Sequence, residues 1–359
     1  MKINIIQRVA PDAATTIVST CLSASDEYVM LLSSGDVIRQ KFNAPAGEYL
    51  FSVKGSLSYA DGGFDLSAPS TIYTLGEIVV VVNDYKRHGY IHYPGKYAAL
   101  HLWREDYHAD ISRYPIALFR DHLQVPYIIY AVAWNHLQIM NLDTRQVVTA
   151  AKSLIAEGAE ERHIEFYKTY EEANKLPWPS AYDYFYGQLQ MSPDRNQFLS
   201  AGWVWGSADA YNIYNVEHFI KSHRIASKQI NTWDHYNRGV CWIDDTTVAV
   251  TFHPVRDEED DATVDAPCEI HFYHVAGTTA VIERKIKIAD ADILSTTMYY
   301  SKGLKAMVLF SDLLGVLVVT PEGEVIFRDA DLKVTGFDAE TDLLLAVREE
   351  EMTVYRMEL

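Results

Sequence analysis

Proton transfer and metal binding need histidines and carboxylates at short, defined spacings, and few such spacings occur among the 359 residues of this sequence. The thirteen histidines form no HExxH pair. His271 and His274 lie three apart in a strand-like run and so face opposite ways, which removes them as a local ligand pair. His88 and His92 are expected to meet across a hairpin, and His253 borders the densest acidic run, Arg256 to Asp265. That run has enough oxygens for a calcium ion but lacks both the DxDxDG spacing and the glycine of an EF-hand. The expectation is a solvated loop tip without a metal. His235 is the most chemically suggestive histidine, because Asp234 and Tyr236 flank it. There is no GxSxG elbow, P-loop or GxGxxG, and Asp61-Gly62-Gly63 reads as a turn rather than a phosphate cradle. No catalytic residue, metal ligand or cofactor is assigned on this basis.

Aromatic residues in loop-like segments are the second chemical resource. Residues 152–185 carry Phe166, Tyr167, Tyr170, Trp178, Tyr182, Tyr184 and Phe185. Trp203, Trp205, Tyr211 and Tyr214 follow, with Asp209 among them, and residues 233–236 read Trp233, Asp234, His235, Tyr236. Residues 84–88 add Asp84, Tyr85, Lys86, Arg87 and His88. Aromatic rings in loops supply large, rigid contact area with a polar handle, the make-up of interaction hot spots and ligand cages. The candidate binding residues are Trp178, Tyr182, Trp203, Trp205, Asp209, Trp233, Asp234, His235 and Tyr236. The competing account is that these rings pack a long insertion onto the body of the protein.

The elements that must hold these residues are strands. Short β-branched and aromatic runs alternate with Gly, Asp, Asn, Ser and Pro clusters, and one stretch, about 157–175, reads as a helix ended by Pro177 and Pro179. A strand–turn–strand unit recurs at Leu137–Val148, Tyr211–Ser222, Ile270–Ile282 and Val316–Phe327, and its other half at Tyr186–Gly202, Cys241–Val248 and residues 295–310. About seven copies of roughly 50 residues fit the chain. Blades are expected over 12–54, 70–104, 115–151, 186–224, 237–289 and 292–332, with three strands left at the C-terminal end and KINIIQRV left at the N-terminal end. Joining those ends in one blade accounts for both remainders and removes exposed sheet edges.

On these repeats, with Ser192-Pro193-Asp194 the most family-like fragment, the whole chain resembles the WD40-like seven-bladed β-propellers, although the Gly-His and Trp-Asp signatures are absent. The resemblance implies an all-β, seven-bladed fold over 1–359, with a helical insertion at about 152–185, and partner binding on an end face. It carries over no catalytic residue. Strand alternation places first-to-second and third-to-fourth turns at one end of the blades. Second-to-third turns and inter-blade connections fall at the other end. The second group is expected to hold the long segments, 55–70, 83–89, 104–115, 152–185, 203–210, 225–237 and 253–267, and long loops are usually functional.

Composition narrows the function further. A hydrophobic fraction of 48% and a mean hydropathy of −0.10 suit a globular chain, and no apolar run approaches the ~20 residues of a membrane helix. The net charge of −18 and pI of about 5.1 argue against a nucleic-acid partner. Cys21, Cys241 and Cys268 form no CxxC pair and read as small core residues rather than disulfides or zinc ligands. The opening MKINIIQRVAPD lacks the apolar core of a secretory signal, so a cytoplasmic monomer is expected. The resulting expectation is a binding or scaffold propeller that takes a protein or small polar ligand on an aromatic, acidic end face. The alternative is a propeller hydrolase or lyase acting on a polar small molecule or glycan, with His235, Asp234 or His253 as acid–base groups.

Overall fold

A computed structural model describes the chain except for residues 11–14, 56–58, 150–154, 170–181, 223, 232–236, 254–266, 290 and 349–350. Seven antiparallel sheets follow one another along the sequence as the blades of a seven-bladed β-propeller. They fall into two compact units, Met1–Trp103 with Asp234–Leu359, and Arg104–Trp233.

The first unit holds five blades, at 17–52, 70–103, 240–288, 297–329 and a composite one. The second strand of each blade is largely buried and correspondingly rich in apolar residues. Ile78–Asn83 (IVVVVN) is fully buried, whereas the outer strand Val281–Ile288 (VIERKIKI) is mostly exposed and charged. Blade faces pack on one another through side chains two apart in each strand. Tyr28, Met30 and Leu32 of blade one meet Leu343, Leu345, Met352 and Val354 of the composite blade. That blade joins Gly336–Asp338, Leu343–Arg348 and Glu351–Glu358 to the N-terminal strand Lys2–Val9, as the strand count requires. Ile3 pairs with Met357 and Ile5 with Tyr355, and a register shift between Ile5 and Gln7 allows both Ile6 and Val9 to pack inward.

The second unit holds blades three and four. Blade three has strands Ile116–Arg120, Pro126–Ala133 and His136–Asn141. Among the described residues, Val147 bridges to Met140 on the outer edge of His136–Asn141. Blade four has Phe185–Met191, Gln197–Val204, Ala208–Asn215 and Lys228–Asn231.

Two expectations are corrected here. Residues 216–221, in the second half of the strand–turn–strand unit expected over Tyr211–Ser222, form helix α2 (Val216–Lys221). Asn215 caps it by accepting the His218 N–H at 2.8 Å, and Val216 and Phe219, three apart, bury one helical face. The fourth strand of blade four is therefore Lys228–Asn231, inside a segment expected to be loop. The helix expected at 157–175 appears as α1 (Ala159–Thr169), and residues beyond 169 in that stretch lie outside the described ones.

The grouping of long segments is also corrected. Residues 83–89 and 203–210 are hairpin ends, in which only the short turns 84–87 and 205–207 lie outside the flanking strands. The third-to-fourth connection of blade four, expected to be short, spans 216–227. Within it Arg224–Ile225 pairs in parallel with Ile155–Ala156, so the 152–185 insertion reaches across to the group of turns expected at the opposite end. Among the described residues no helix is long and apolar enough to cross a membrane.

Candidate functional site

Three segments of the second unit converge on one aromatic cluster. They are the 104–115 connection, the second-to-third turn of blade three at 134–135 and that of blade four at 205–207. The connection owes its shape to Arg104, which is 4% exposed. Its guanidinium donates to the carbonyls of Ala109 and Ser112 at 2.9 and 2.8 Å and lies 4.6 Å over the Tyr114 ring. The loop is thereby wound around a buried cation, which satisfies both the cation and the carbonyls. His108 adopts a positive φ of 53°, an uncommon conformation for a side-chain-bearing residue, and accepts the amide of Ser112 on its carbonyl.

Phe185, fully buried, is the floor of the cluster. Trp203 stacks on it at 3.6 Å with an 8° tilt, and Trp134 approaches its ring at 4.3 Å. This spacing depends on Gly202, where a Cβ would fall 2.1 Å from the Phe185 carbonyl oxygen and 2.5 Å from the Tyr184 hydroxyl. Trp203 is fixed from outside as well, since its Nε1 donates to Ser112 Oγ at 2.9 Å. His108 stands edge-on to Phe185, Trp203 and Trp205 at 5.3, 5.6 and 5.7 Å, the arrangement that ring quadrupoles favour.

Above this floor, Tyr107 and Trp205 are about half exposed, at 49% and 51%, and Trp134 is half-buried. Their centroids are 5.8, 6.4 and 6.5 Å apart, so the rings touch one another and together make a continuous apolar surface. Ile111, exposed, belongs to the same connection, as do the exposed Glu105, Asp106 and Asp110.

Of the candidate residues, Trp203 and Trp205 lie in this cluster, 6.1 Å apart. Tyr182 is buried below it. Its hydroxyl accepts from Asn212 Nδ2 at 2.8 Å and lies 3.0 Å from the Tyr214 hydroxyl, and burial raises its pKa. Asp209 is also buried and accepts from the Tyr211 hydroxyl at 2.8 Å, so it too faces inward. Trp178, Trp233, Asp234, His235 and Tyr236, together with the acidic run 256–265, lie outside the described residues. His88 and His92 do not meet. His92 donates to the Ala98 carbonyl and stacks on Phe51, while His88 turns to other partners. Tyr107, His108 and Trp134 were not singled out in the sequence. The strand alternation that grouped the long loops would have found Trp134, because it occupies a second-to-third turn.

No family model matches this sequence, and no curated protein does. Its fold does have relatives. The chain is similar over 99% of its length to the WD40 β-propeller domain of Doa1, of which it covers 97%, with a TM-score of 0.55 at 8% identity. The likeness to solved structures, shared by 759 chains, shows a β-propeller and by itself selects no partner or reaction.

Proposed function

We propose that this chain is a binding protein that takes a protein partner on the Tyr107–Trp134–Trp205 surface. One observation carries the reading: three rings from three separate segments, Tyr107 and Trp205 exposed and Trp134 half-buried, touch one another above a stack of Trp203 on the buried Phe185. Rigid aromatic anchors lose little side-chain entropy on association, which is why such residues dominate binding energy at interfaces. Contact between the rings favours a broad partner surface over a small ligand inserted between them. The exposed Glu105, Asp106 and Asp110 on the connection that carries Tyr107, with a chain net charge of −18, favour a partner whose apolar contact is bordered by Lys or Arg.

The test compares affinity capture by the wild-type chain with capture by Trp205→Ala and Tyr107→Ala, followed by titration of the recovered partner. Trp205→Ala is expected to weaken binding by ~2 kcal/mol or more, about 30-fold, while lowering stability by about 1 kcal/mol or less. Undiminished affinity in both variants would reject this surface.

A further inference from the structure

Blade two, in the other unit, carries a second cluster with a different chemistry. Its third strand opens at His88, and its fourth places His101 opposite Tyr90. The two imidazoles stack at 5.1 Å, with Nδ1 of His88 2.8 Å from Nε2 of His101. On the other side of His88, Nε2 lies 2.9 Å from both carboxylate oxygens of Asp61. Tyr59, from the same connection as Asp61, sets its ring 4.8 and 4.7 Å from the two imidazoles. His88 is 2% exposed, whereas His101 is half-buried.

Chemistry decides where the protons sit. The hydrogen bond from His88, with the Arg87 guanidinium 3.2 Å away, keeps the Asp61 carboxyl below its usual pKa, so it is ionised at neutral pH. A carboxylate can only accept, which puts the hydrogen of neutral His88 on Nε2 and its lone pair on Nδ1. Nε2 of His101 must then donate to that lone pair, leaving Nδ1 of His101 as a basic nitrogen in a fixed tautomer. Burial lowers the pKa of His101, which favours its neutral form. Among the described residues, Tyr59 and Tyr90, 4.7 and 5.3 Å from His101, are further titratable groups facing the pair.

We propose that Asp61, His88 and His101 form a proton relay, with His101 Nδ1 as the working base of a second site for a small hydroxyl-bearing molecule, water included. The substrate O–H proton moves to Nδ1 of His101, the Nε2 proton of His101 moves to Nδ1 of His88, and the positive charge comes to rest on His88 beside the Asp61 carboxylate. Only O–H and N–H bonds change, and nothing is oxidised. A base oriented by a second group that is itself oriented by a carboxylate is the arrangement that acid–base sites use. Asp61 and His88 are positioning residues in this scheme.

The test uses the full chain labelled with 15N-histidine, read by NMR, together with diethyl pyrocarbonate as an acylating probe of free imidazole nitrogen. The expected result is the Nε2–H tautomer on both rings and a single shared titration step. His101 should be acylated as its lone pair attacks the probe carbonyl and ethyl carbonate departs. Asp61→Asn keeps an acceptor for His88 but removes the charge. It should lower the shared midpoint by about one pH unit or more and slow acylation of His101 severalfold. A hydrogen on Nδ1 of His101, or a titration unchanged in Asp61→Asn, would overturn the relay. If that variant fails to fold, the wild-type tautomers and the acylation of His101 decide the matter alone.

Discussion

At the scale of single residues, exposure separates side chains that hold the fold from those available to a partner. Phe185 is fully buried under Trp203, so Phe185→Ala leaves a cavity and should cost ~3–5 kcal/mol in urea denaturation. Trp205, 51% exposed in a turn, should cost about 1 kcal/mol or less on the same substitution. Equal losses in the two variants would mean that the cluster is packing throughout. A pH dependence also belongs to this scale. The Lys86 ammonium and then the Ser67 hydroxyl hold the Asp65 carboxyl well below the usual carboxylate range. Because the folded pKa is depressed, the stabilisation is present above the unfolded value of about 3.9 and is lost as the pH falls below it toward the folded value. Asp65→Asn should therefore lower stability at pH 7 more than at pH 3, measured as urea midpoints at the two values.

At the scale of elements, the composite blade and the close approach in blade four make separate predictions. The strand Lys2–Val9 covers the edge of Glu351–Glu358, and Ile3, Ile6 and Val9 are half-buried against its neighbours. Removing residues 1–9 should uncover that edge and lower stability by several kcal/mol, at ~1.5–3 for each aliphatic side chain that is fully buried. A truncated chain that melts like the intact one would contradict the pairing. In blade four, Gly202→Ala would drive a methyl group into the Phe185 carbonyl and the Tyr184 hydroxyl. The strands must separate, so the variant should lose ~1–3 kcal/mol and, with the Phe185–Trp203 stack, its partner binding. Near-UV circular dichroism reports the stack directly.

At the scale of the whole molecule, charge governs how partners arrive. A chain of net charge −18 attracts basic surfaces over long range, and dissolved salt screens that attraction beyond about 10 Å at 0.1 M. The association rate of a basic partner should fall steeply between 0.05 and 0.5 M NaCl while the dissociation rate changes little. A salt-insensitive association rate would point to a purely apolar contact.

The sequence by itself determined the strands, their grouping into blades and the sharing of one blade by both chain ends. These depend on local periodicity and on counting, and the IVVVVN and KINIIQRV runs are legible without any knowledge of their neighbours. It misread the second half of Tyr211–Ser222 as a turn and a strand, because three other units set an expectation that the Asn215 cap and the Val216–Phe219 spacing override. Only the tertiary structure decided which aromatic residues are surface and which are core. Tyr182 and Trp205 look equally suitable in sequence, yet one is buried against Asn212 and Tyr214 and the other is half exposed. The histidine relay was equally hidden, since Asp61, His88 and His101 come together only when a loop and two strands are folded side by side. Backbone pattern is written in near neighbours, whereas exposure and hydrogen-bond partnership depend on residues distant in the chain.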